Sequence, residues 1–185
     1  LSGDGNFNQT GTGTTTLTAD SSGFKGASAV TAGGLSVTGK LGGALSVSGN
    51  GTLTGTGVLG NVSVRSGGTI SPGSTASIGS LSTGDLDFAP GSTYVVNLDG
   101  SGNHDELLVD GTATISGGTV NLSSGNATVT DGETVTIISA TTSVVTTDGD
   151  GDGTSGFNPK LNHSAYVDAD IGYTPTTVFL TLKDL

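Results

Sequence analysis

Apolar residues recur along the first half of the chain in short groups that are separated by glycine. The groups are Leu35 to Val37, Leu45 to Val47, Leu53, Val62 to Val64 and Ile70. Their starts recur about every 8 to 10 residues, an interval that suits a short strand and a tight turn. Alternation of apolar and small polar residues over a few positions is the pattern of a strand with one buried face. A short strand and a glycine turn that repeat in this way predict a solenoid.

The same reasoning, extended to the whole sequence, predicts an all-β chain. No stretch keeps the i, i+3, i+4, i+7 spacing of an amphipathic helix over several turns. The predicted strands are Thr14 to Thr18, Ala27 to Thr31, Gly34 to Val37, Ala44 to Val47, Gly51 to Leu53, Val58 to Val64, Gly68 to Ile70, Ser77 to Leu81, Asp85 to Phe88, Ser92 to Leu98, Glu106 to Val109, Thr112 to Ile115, Thr119 to Leu122, Thr134 to Ser139 and Val178 to Leu182.

Asn-Gly and Asp-Gly pairs leave a meander of β-hairpins open as an alternative. Strands of three to five residues are too short for stable hairpins, however, whereas in a parallel β-helix each one stacks on its equivalent in the next coil. We therefore favour the β-helix. With roughly 20 residues per coil and a spacing of about 4.8 Å, it would have about eight or nine coils and a length on the order of 40 Å.

The pattern changes near Asp85, which divides the chain into regular coils over 1–84 and a less regular section over 85–185. Strands lengthen there, and a turn-rich insertion runs from Thr146 to Pro159. Most of the aromatic residues also lie there: Phe88, Tyr94, Phe157, Tyr166, Tyr173 and Phe179. An open solenoid end exposes unpaired strand edges, so an atypical, aromatic-rich end section predicts a cap. A merely irregular coil is the alternative.

Composition excludes several classes of function. The net charge is −11, and the five basic residues are scattered, so nucleic-acid or anionic-membrane binding is disfavoured. With no Cys, the chain can form neither a disulfide, nor a thiolate metal site, nor a cysteine nucleophile. No apolar run is long enough to predict a membrane-spanning helix. Because Met and a leader are both absent, we expect the sequence to be part of a longer protein.

Laid out in this way, the chain resembles the C-terminal passenger region of bacterial autotransporters, the type V secreted proteins. GTGTTTLTADSSGFKGASAVTAGGLSVTGKLGG (Gly11 to Gly43) is similar to the passenger-associated strand repeat. The segment from Gly55 to Leu122, which contains SGGTISPG and a downstream Tyr, Asp and Gly-Gly, is similar to the region that follows it. Thr136 to Phe157 and Ala165 to Leu182 resemble the closing segment of the family.

This resemblance implies a right-handed parallel β-helix stalk that ends in an autochaperone-like section over 85–185. Its implied partners are the rest of the passenger and an outer-membrane β-barrel, both outside this sequence, together with a host-cell or self-association partner. It also implies a non-catalytic module of a secreted, surface-exposed adhesin or virulence factor, held at the outer membrane through that barrel. The expected mechanism is templated folding, since each coil of a one-dimensional array rests on its neighbour and needs a nucleus.

Candidate catalytic groups are few. His104, Asp105 and Glu106 could act as acid and base, but they follow a glycine-rich turn and are interpreted as a solvated polar loop. The resemblance implies a structural turn role for Asp105. Asp85 with Asp87, and Asp168 with Asp170, each share one strand face, as the carboxylates of a glycan-cleaving enzyme would. Without a nearby Lys or Arg to bind an acidic glycan, both pairs are interpreted as surface charge. We expect no catalytic residues.

Asp148, Asp150 and Asp152 occupy positions 1, 3 and 5 of a sequence that resembles the first half of a calcium loop. The twelfth position, which requires Glu in an EF-hand, is Pro159. An EF-hand is therefore excluded, and a weaker calcium site and a solvated acidic turn both stay open. No other cofactor is expected.

Three functions compete at this stage. The first is the structural stalk and folding nucleus, and the second is a β-helix that binds or cleaves glycans with converging carboxylates. The third is self-association between rods, through hydrogen-bonding ladders of Ser, Thr and Asn.

Overall fold

The computed structural model of the protein describes residues 1–125, 127–158 and 167–185. Every regular element in these residues is a strand, and none is a helix, so the described chain is all-β as predicted. The nineteen strands, β1 to β19 in order, are Phe7–Gln9, Thr14–Leu17, Asp20–Ser21, Ser28–Val37, Lys40–Leu41, Leu45–Gly55, Val58–Leu59, Val62–Val64, Thr69–Pro72, Ser80–Thr83, Leu86–Phe88, Thr93–Asn97, Glu106–Val109, Thr112–Ile115, Thr119–Ser123, Thr134–Ala140, Ser143–Thr146, Val167–Tyr173 and Thr177–Asp184.

The strands form two mostly parallel sheets, of eleven and eight strands. Their pairings fall into three rows. Row A contains β1, the first parts of β4 and β6, and then β8, β11, β14 and β17. Row B contains β2, the second parts of β4 and β6, and then β9, β12 and β15. Row C contains β3, β5, β7, β10, β13 and β16. Because the chain returns to each row once per repeat and pairs in parallel, the architecture is consistent with a β-solenoid.

The repeat lengthens along the chain, as the hydrogen bonds between corners of row A show. Asp85 bonds to the side chain of Asn61, which lies 24 residues before it. It also bonds to Thr112, 27 residues after it. Thr112 and its partner Ser143 are then 31 residues apart. The preceding repeats are shorter, because three successive strands of row A, from β4, β6 and β8, all fit within residues 28–64.

The uniform period of roughly 20 residues is therefore wrong for the second half, where longer connections join the rows. Row A accordingly has seven strands among the described residues, fewer than the eight or nine coils predicted. At the usual strand spacing it spans on the order of 30 Å.

The core lies between the rows, where like residues stack on like. Val30, Val47 and Val64 are partners in successive strands of row A, and all three are fully buried. Leu35, Leu53 and Ile70 stack in the same way in row B. The alternation that predicted these strands thus marks the residues that fill the interior.

Glycine is required where the corners of successive repeats touch. Gly67 has a φ of +76°, and a Cβ there would collide with the carbonyl oxygen of Gly49 in the preceding repeat. The glycine pattern therefore reflects both turn conformation and close stacking of backbone on backbone.

Predicted and observed strands differ mainly at such corners. The segment predicted from Val58 to Val64 is two strands, β7 and β8, and the two segments predicted between Ala27 and Val37 are the single strand β4. Five strands were not predicted: β1, β3, β5, β17 and β18. The first three of them are too short for alternation to be recognised.

The C-terminal end has a different architecture. β16 is parallel to β13 on one side, but on its other side it is antiparallel to β19, which forms a hairpin with β18. The hairpin thus occupies the edge on which another parallel strand of row C would otherwise stack.

Candidate functional site

Three aromatic rings that are distant in sequence meet inside the C-terminal part. Phe88 comes from β11 in row A, Tyr94 from β12 in row B, and Phe157 from the connection after β17. The ring centroids of Phe88 and Phe157 lie 4.9 Å apart, those of Phe88 and Tyr94 5.9 Å, and those of Tyr94 and Phe157 6.5 Å. All three side chains are buried. We call these residues the aromatic cluster, and their spacing is that of favourable aromatic packing.

Tyr94 also ties the aromatic cluster to the last parallel strand of row C. Its hydroxyl donates a hydrogen bond of 2.7 Å to the carbonyl oxygen of Ile137 in β16. Ile137 has no partner in the register with β19, because that register shifts between Thr136 and Ile138. Burial raises the pKa of Tyr94 well above its ordinary value, so the hydroxyl keeps its proton and remains a donor.

Phe157 reaches the core from the connection that follows β17, which hydrogen-bonds to the residues between β14 of row A and β15 of row B. We call residues 147–158 the strap. Near its start the amide of Gly149 donates to the carbonyl oxygen of Ser116 at 2.9 Å. Near its end the amide of Phe157 donates to the hydroxyl of Tyr173 at 2.8 Å, and that of Asn158 to the carbonyl oxygen of Gly118 at 2.8 Å. The strap falls within the insertion predicted from Thr146 to Pro159. Thr146 is the last residue of β17, and Pro159 lies outside the described residues. Tyr166, one of the predicted aromatic residues of this section, also lies outside them.

Asp105 corrects the interpretation of residues 104–106 as a solvated loop, because its side chain is fully buried. One carboxylate oxygen accepts the amide of Gly79 at 2.8 Å. The other accepts the backbone amide and the side-chain amide of Asn97, at 2.9 and 2.8 Å. Asp105 thus binds the turn after β9 to the end of β12, which is the structural role that the resemblance implied. Burial raises the pKa of this carboxyl, and the three N–H donors act against that effect.

The neighbouring side chains have partners of their own. The ring nitrogens of His104 lie 3.0 Å from the carbonyl oxygen of Gly102 and 2.9 Å from that of Thr136. Glu106 accepts the hydroxyl of Ser139 at 2.6 Å. Within the described residues no hydrogen bond joins any two of the side chains in 104–106, so the arrangement does not have the geometry of an acid–base pair.

The first carboxylate pair lies on the outer surface of row A. Asp85 precedes β11, and its carboxylate accepts the amide of Thr112 at 2.9 Å, while its own amide donates to the side chain of Asn61 at 3.0 Å. It therefore fixes the corners of three successive repeats. Asp87 lies two residues further on the same face and is half-buried.

The second pair lies in β18. Asp170 is exposed and forms an ion pair with Lys183 of β19, with an N–O distance of 2.7 Å. The expectation that no basic residue lies near this pair is therefore wrong. The hydrogen bond to Asp170 raises the pKa of Lys183. Because the pair is exposed, it stabilises the hairpin only weakly.

The strap brings together the carboxylates of Asp148, Asp150 and Asp152, whose oxygens lie within 4.8 Å of one another. All three residues are exposed, and they accept hydrogen bonds from the strap itself, among them those of Gly151 and Gly153 to Asp148 at 2.8 and 3.2 Å. Hydrogen bonds from the neighbouring threonine lower the pKa of Asp152. Calcium binding here stays a prediction, which calorimetric titration of the chain and of Asp150→Asn with Ca²⁺ would test.

A groove of about 480 Å³ lies between the turn after β9 and the turn after β15, and is lined by Thr75, Ile78, Leu98, Asp99, Ser123 and Ala127 among others. Among the described residues that line it, Asp99 is the only carboxylate. That carboxylate accepts the amides of Ser101 and Asn103, at 2.8 and 3.0 Å, within its own turn. Glycoside hydrolysis ordinarily uses two carboxylates, so this groove lacks the required pair.

Comparison of the sequence with protein-family models and with curated proteins finds no match. The described residues contain no helix that is long and apolar enough to cross a membrane.

Proposed function

We propose that the chain is a non-catalytic structural module of a bacterial autotransporter passenger. It would be a right-handed parallel β-helix stalk whose section 85–185 nucleates folding and supports secretion of a surface-exposed adhesin or virulence factor. Its partners would be the remaining passenger and the outer-membrane β-barrel. It would act at the cell surface.

The aromatic cluster is the observation that supports this proposal most strongly. It joins residues from β11, β12 and the strap, and through Tyr94 it reaches β16, so four separate segments meet at one place. Burial of a large aromatic side chain contributes more to stability than burial of one of the aliphatic side chains that fill most of the core. In a chain of stacked repeats, the section with the strongest local packing is the natural place for folding to begin.

The hairpin of β18 and β19 supports the same conclusion. A parallel array that ends in an unpaired edge invites further strands to add, whereas an antiparallel hairpin over β16 ends row C. A nucleus capped in this way can present its other side to the repeats that stack upon it.

Pulse-labelling hydrogen exchange during refolding of the full chain would test the order of folding. We expect the amides of β11, β12, β14 and β16 to become protected before those of β4 and β6. Tyr94→Phe, which removes only the hydroxyl, should slow the early phase, and Val95→Thr on the outer face of the same strand serves as its control. Earlier protection of β4 and β6 would contradict the proposal.

A display experiment would test the biological role. The chain would be fused to an outer-membrane β-barrel, and surface exposure of its N-terminus would be measured with an antibody. We expect Phe88→Ala to reduce display much more than Leu53→Ala, since only the first lies in the section that folds first. Equal losses would count against a nucleating role for 85–185.

A further inference from the structure

We infer that the strap is a closing device for the C-terminal end of the core, which can release while the parallel rows stay paired. This inference rests on the proposed function, because it concerns the end of the section to which nucleation is assigned. It adds a regulatory element to that section. Closure of the strap would depend on burial of the Phe157 ring, and on how far salt screens the repulsion among the three aspartates of the strap.

The strap is fastened at its two ends. Its first residues are attached at the end of β14. The amide of Thr147 donates to the carbonyl oxygen of Ile115, and that of Gly149 to the carbonyl oxygen of Ser116, both at 2.9 Å. Its last residues are fixed by the insertion of Phe157, which is 3% exposed, into the aromatic cluster. The backbone hydrogen bonds of the last two strap residues complete this second attachment.

The middle of the strap is held differently. The amides of Gly151, Gly153 and Thr154 donate to aspartates of the strap itself rather than to the rows beneath. Residues 150–155 are exposed, and a cavity of about 190 Å³ lies between Thr154 and Ser155 of the strap and the face of β18. Both glycines, and Gly156 after them, have positive φ angles, which glycine adopts without strain. Among the described residues, Phe157 is therefore the main apolar attachment of this segment to the core.

Release of the strap would leave the rows intact. β11 pairs with β8 and β14, and β12 pairs with β9 and β15, all through backbone hydrogen bonds that do not involve the strap. Opening therefore uncovers the rings of Phe88 and Tyr94 without separating any strand pair of rows A and B.

Two forces of opposite sign act on the closed state. Burial of the Phe157 ring favours closure, because it removes apolar surface from water on the strap and on the core. Repulsion among Asp148, Asp150 and Asp152, whose carboxylate oxygens lie within 4.8 Å, opposes the compact turn of the closed strap. Salt screens repulsion between exposed charges, so closure should strengthen as the ionic strength rises.

Native-state hydrogen exchange of the full chain, followed by mass spectrometry, tests this inference. In Phe157→Ala we expect the amides of Gly149 and Asn158 to exchange about tenfold faster or more, because the strap opens. Those of β11, β12, β4 and β6 should be unchanged, because the rows stay paired. Phe157→Leu, which keeps an apolar side chain, should lie between wild type and Phe157→Ala, and Ser155→Ala on the exposed middle of the strap is the matched control.

The salt dependence supplies a second arm that needs no destabilised variant. Between about 0.01 M and 1 M salt, where the Debye length falls from about 30 to 3 Å, exchange of the strap amides in the wild type should slow. Asp150→Asn should slow exchange of the strap amides at low salt, and it should make that exchange less dependent on the salt concentration. If Phe157→Ala speeds exchange in the rows as much as in the strap, or leaves exchange of the strap unchanged, or if exchange of the strap is insensitive to salt in both proteins, the inference is wrong.

These outcomes are separable from the proposed function. Nucleation is read from the order in which the rows become protected during refolding, whereas strap closure is read from exchange in the folded state. Early protection of β11 to β16, together with unaltered strap exchange in Phe157→Ala, would support the folding nucleus and contradict the inference about the strap.

Discussion

The repeats between Ser28 and Pro72 and the section from Leu86 onwards are built on the same three rows, yet they are held together differently. The first repeats are short, stack Val, Leu and Ile on one another, and meet at glycine corners that leave no room for a side chain. The later ones have longer connections and add three features: the aromatic cluster, the buried carboxylate of Asp105, and an antiparallel hairpin.

This difference shows that one architecture can be stabilised by two kinds of interaction. Tight corners make each early repeat depend on its immediate neighbours, because only backbone and short side chains touch. Aromatic and polar contacts in the later section join segments that are far apart in sequence, as with Tyr94 and Ile137, which are 43 residues apart. The early repeats can thus extend the array, and the later section can hold its end.

The largest effect should follow from removing the centre of the aromatic cluster. Phe88→Ala leaves a cavity between Tyr94 and Phe157 and should cost about 3–5 kcal/mol of unfolding free energy. Leu53→Ala in the early repeats is the counterpart, and should cost about 2–5 kcal/mol. Urea denaturation with hydrogen exchange would measure both. We expect Phe88→Ala to loosen β11, β12 and the strap together, and Leu53→Ala to loosen only β4, β6 and β9. If the two substitutions loosened equally many strands, the distinction between the two regions would be wrong.

The glycine corners supply the next test. Gly67→Ala and Gly132→Ala both place a side chain at a positive φ angle, +76° and +82°, but only the first meets backbone from another repeat. The conformation alone should cost about 1–2 kcal/mol, and the collision with Gly49 should add about 1–3 kcal/mol more. Thermal and urea unfolding of the two variants would give the difference. Equal losses would mean that the early repeats do not depend on close corner contacts.

The buried carboxylate should make the later section pH-dependent. Burial raises the pKa of Asp105 above 3.8, so the folded state binds its proton at a higher pH than the unfolded chain does. Its contribution to stability is therefore fully present below pH 3.8 and is lost as pH rises through the folded-state pKa. We expect the cost of Asp105→Asn to shrink between acidic and neutral pH in urea titrations, with Asp87→Asn as the control for loss of one negative charge. A cost that grows with pH would show that the three N–H donors outweigh burial.

The smallest effect should come from an imperfection in the early repeats. Ser28 lies in the inward position that Leu45 and Val62 occupy in the next two strands, and its hydroxyl is buried without a hydrogen-bond partner in the described chain. Ser28→Ala removes that unsatisfied group and should be neutral or should stabilise the chain by up to about 1 kcal/mol. Destabilisation in a thermal melt would indicate that the hydroxyl finds a partner in solution.

Alternation along the chain was sufficient to predict the interior of the rows. Glu106–Val109 and Thr112–Ile115 match their predicted bounds, and the residues that stack in rows A and B are those with period two. Strands of two residues, such as Lys40–Leu41, could not be found, because two positions show no period. The change of repeat length was missed as well, since glycine spacing does not indicate which turns are corners and which are longer connections.

Site residues were predictable only where the chemistry is local. The carboxylates of Asp148, Asp150 and Asp152 do come together, since a short glycine-rich turn keeps them close. The burial of Asp105 depends on Gly79 and Asn97, which are 26 and 8 residues away, and no sequence signal links the three. The place of the last aromatic ring in the core depends on the path of the strap, which turn composition alone does not define.

The lengthening of the repeat leaves the strand partners of row A in place. The fold therefore accommodates longer connections without disturbing the interior, and a protein engineer can use the same positions. The turn of residues 73–79 after β9, the turn of residues 99–104 after β12 and the exposed middle of the strap, residues 150–155, are suitable sites for grafting foreign peptides. Because successive strands are spaced by about 4.8 Å, grafts on different repeats would be displayed at set intervals along the stack of strands.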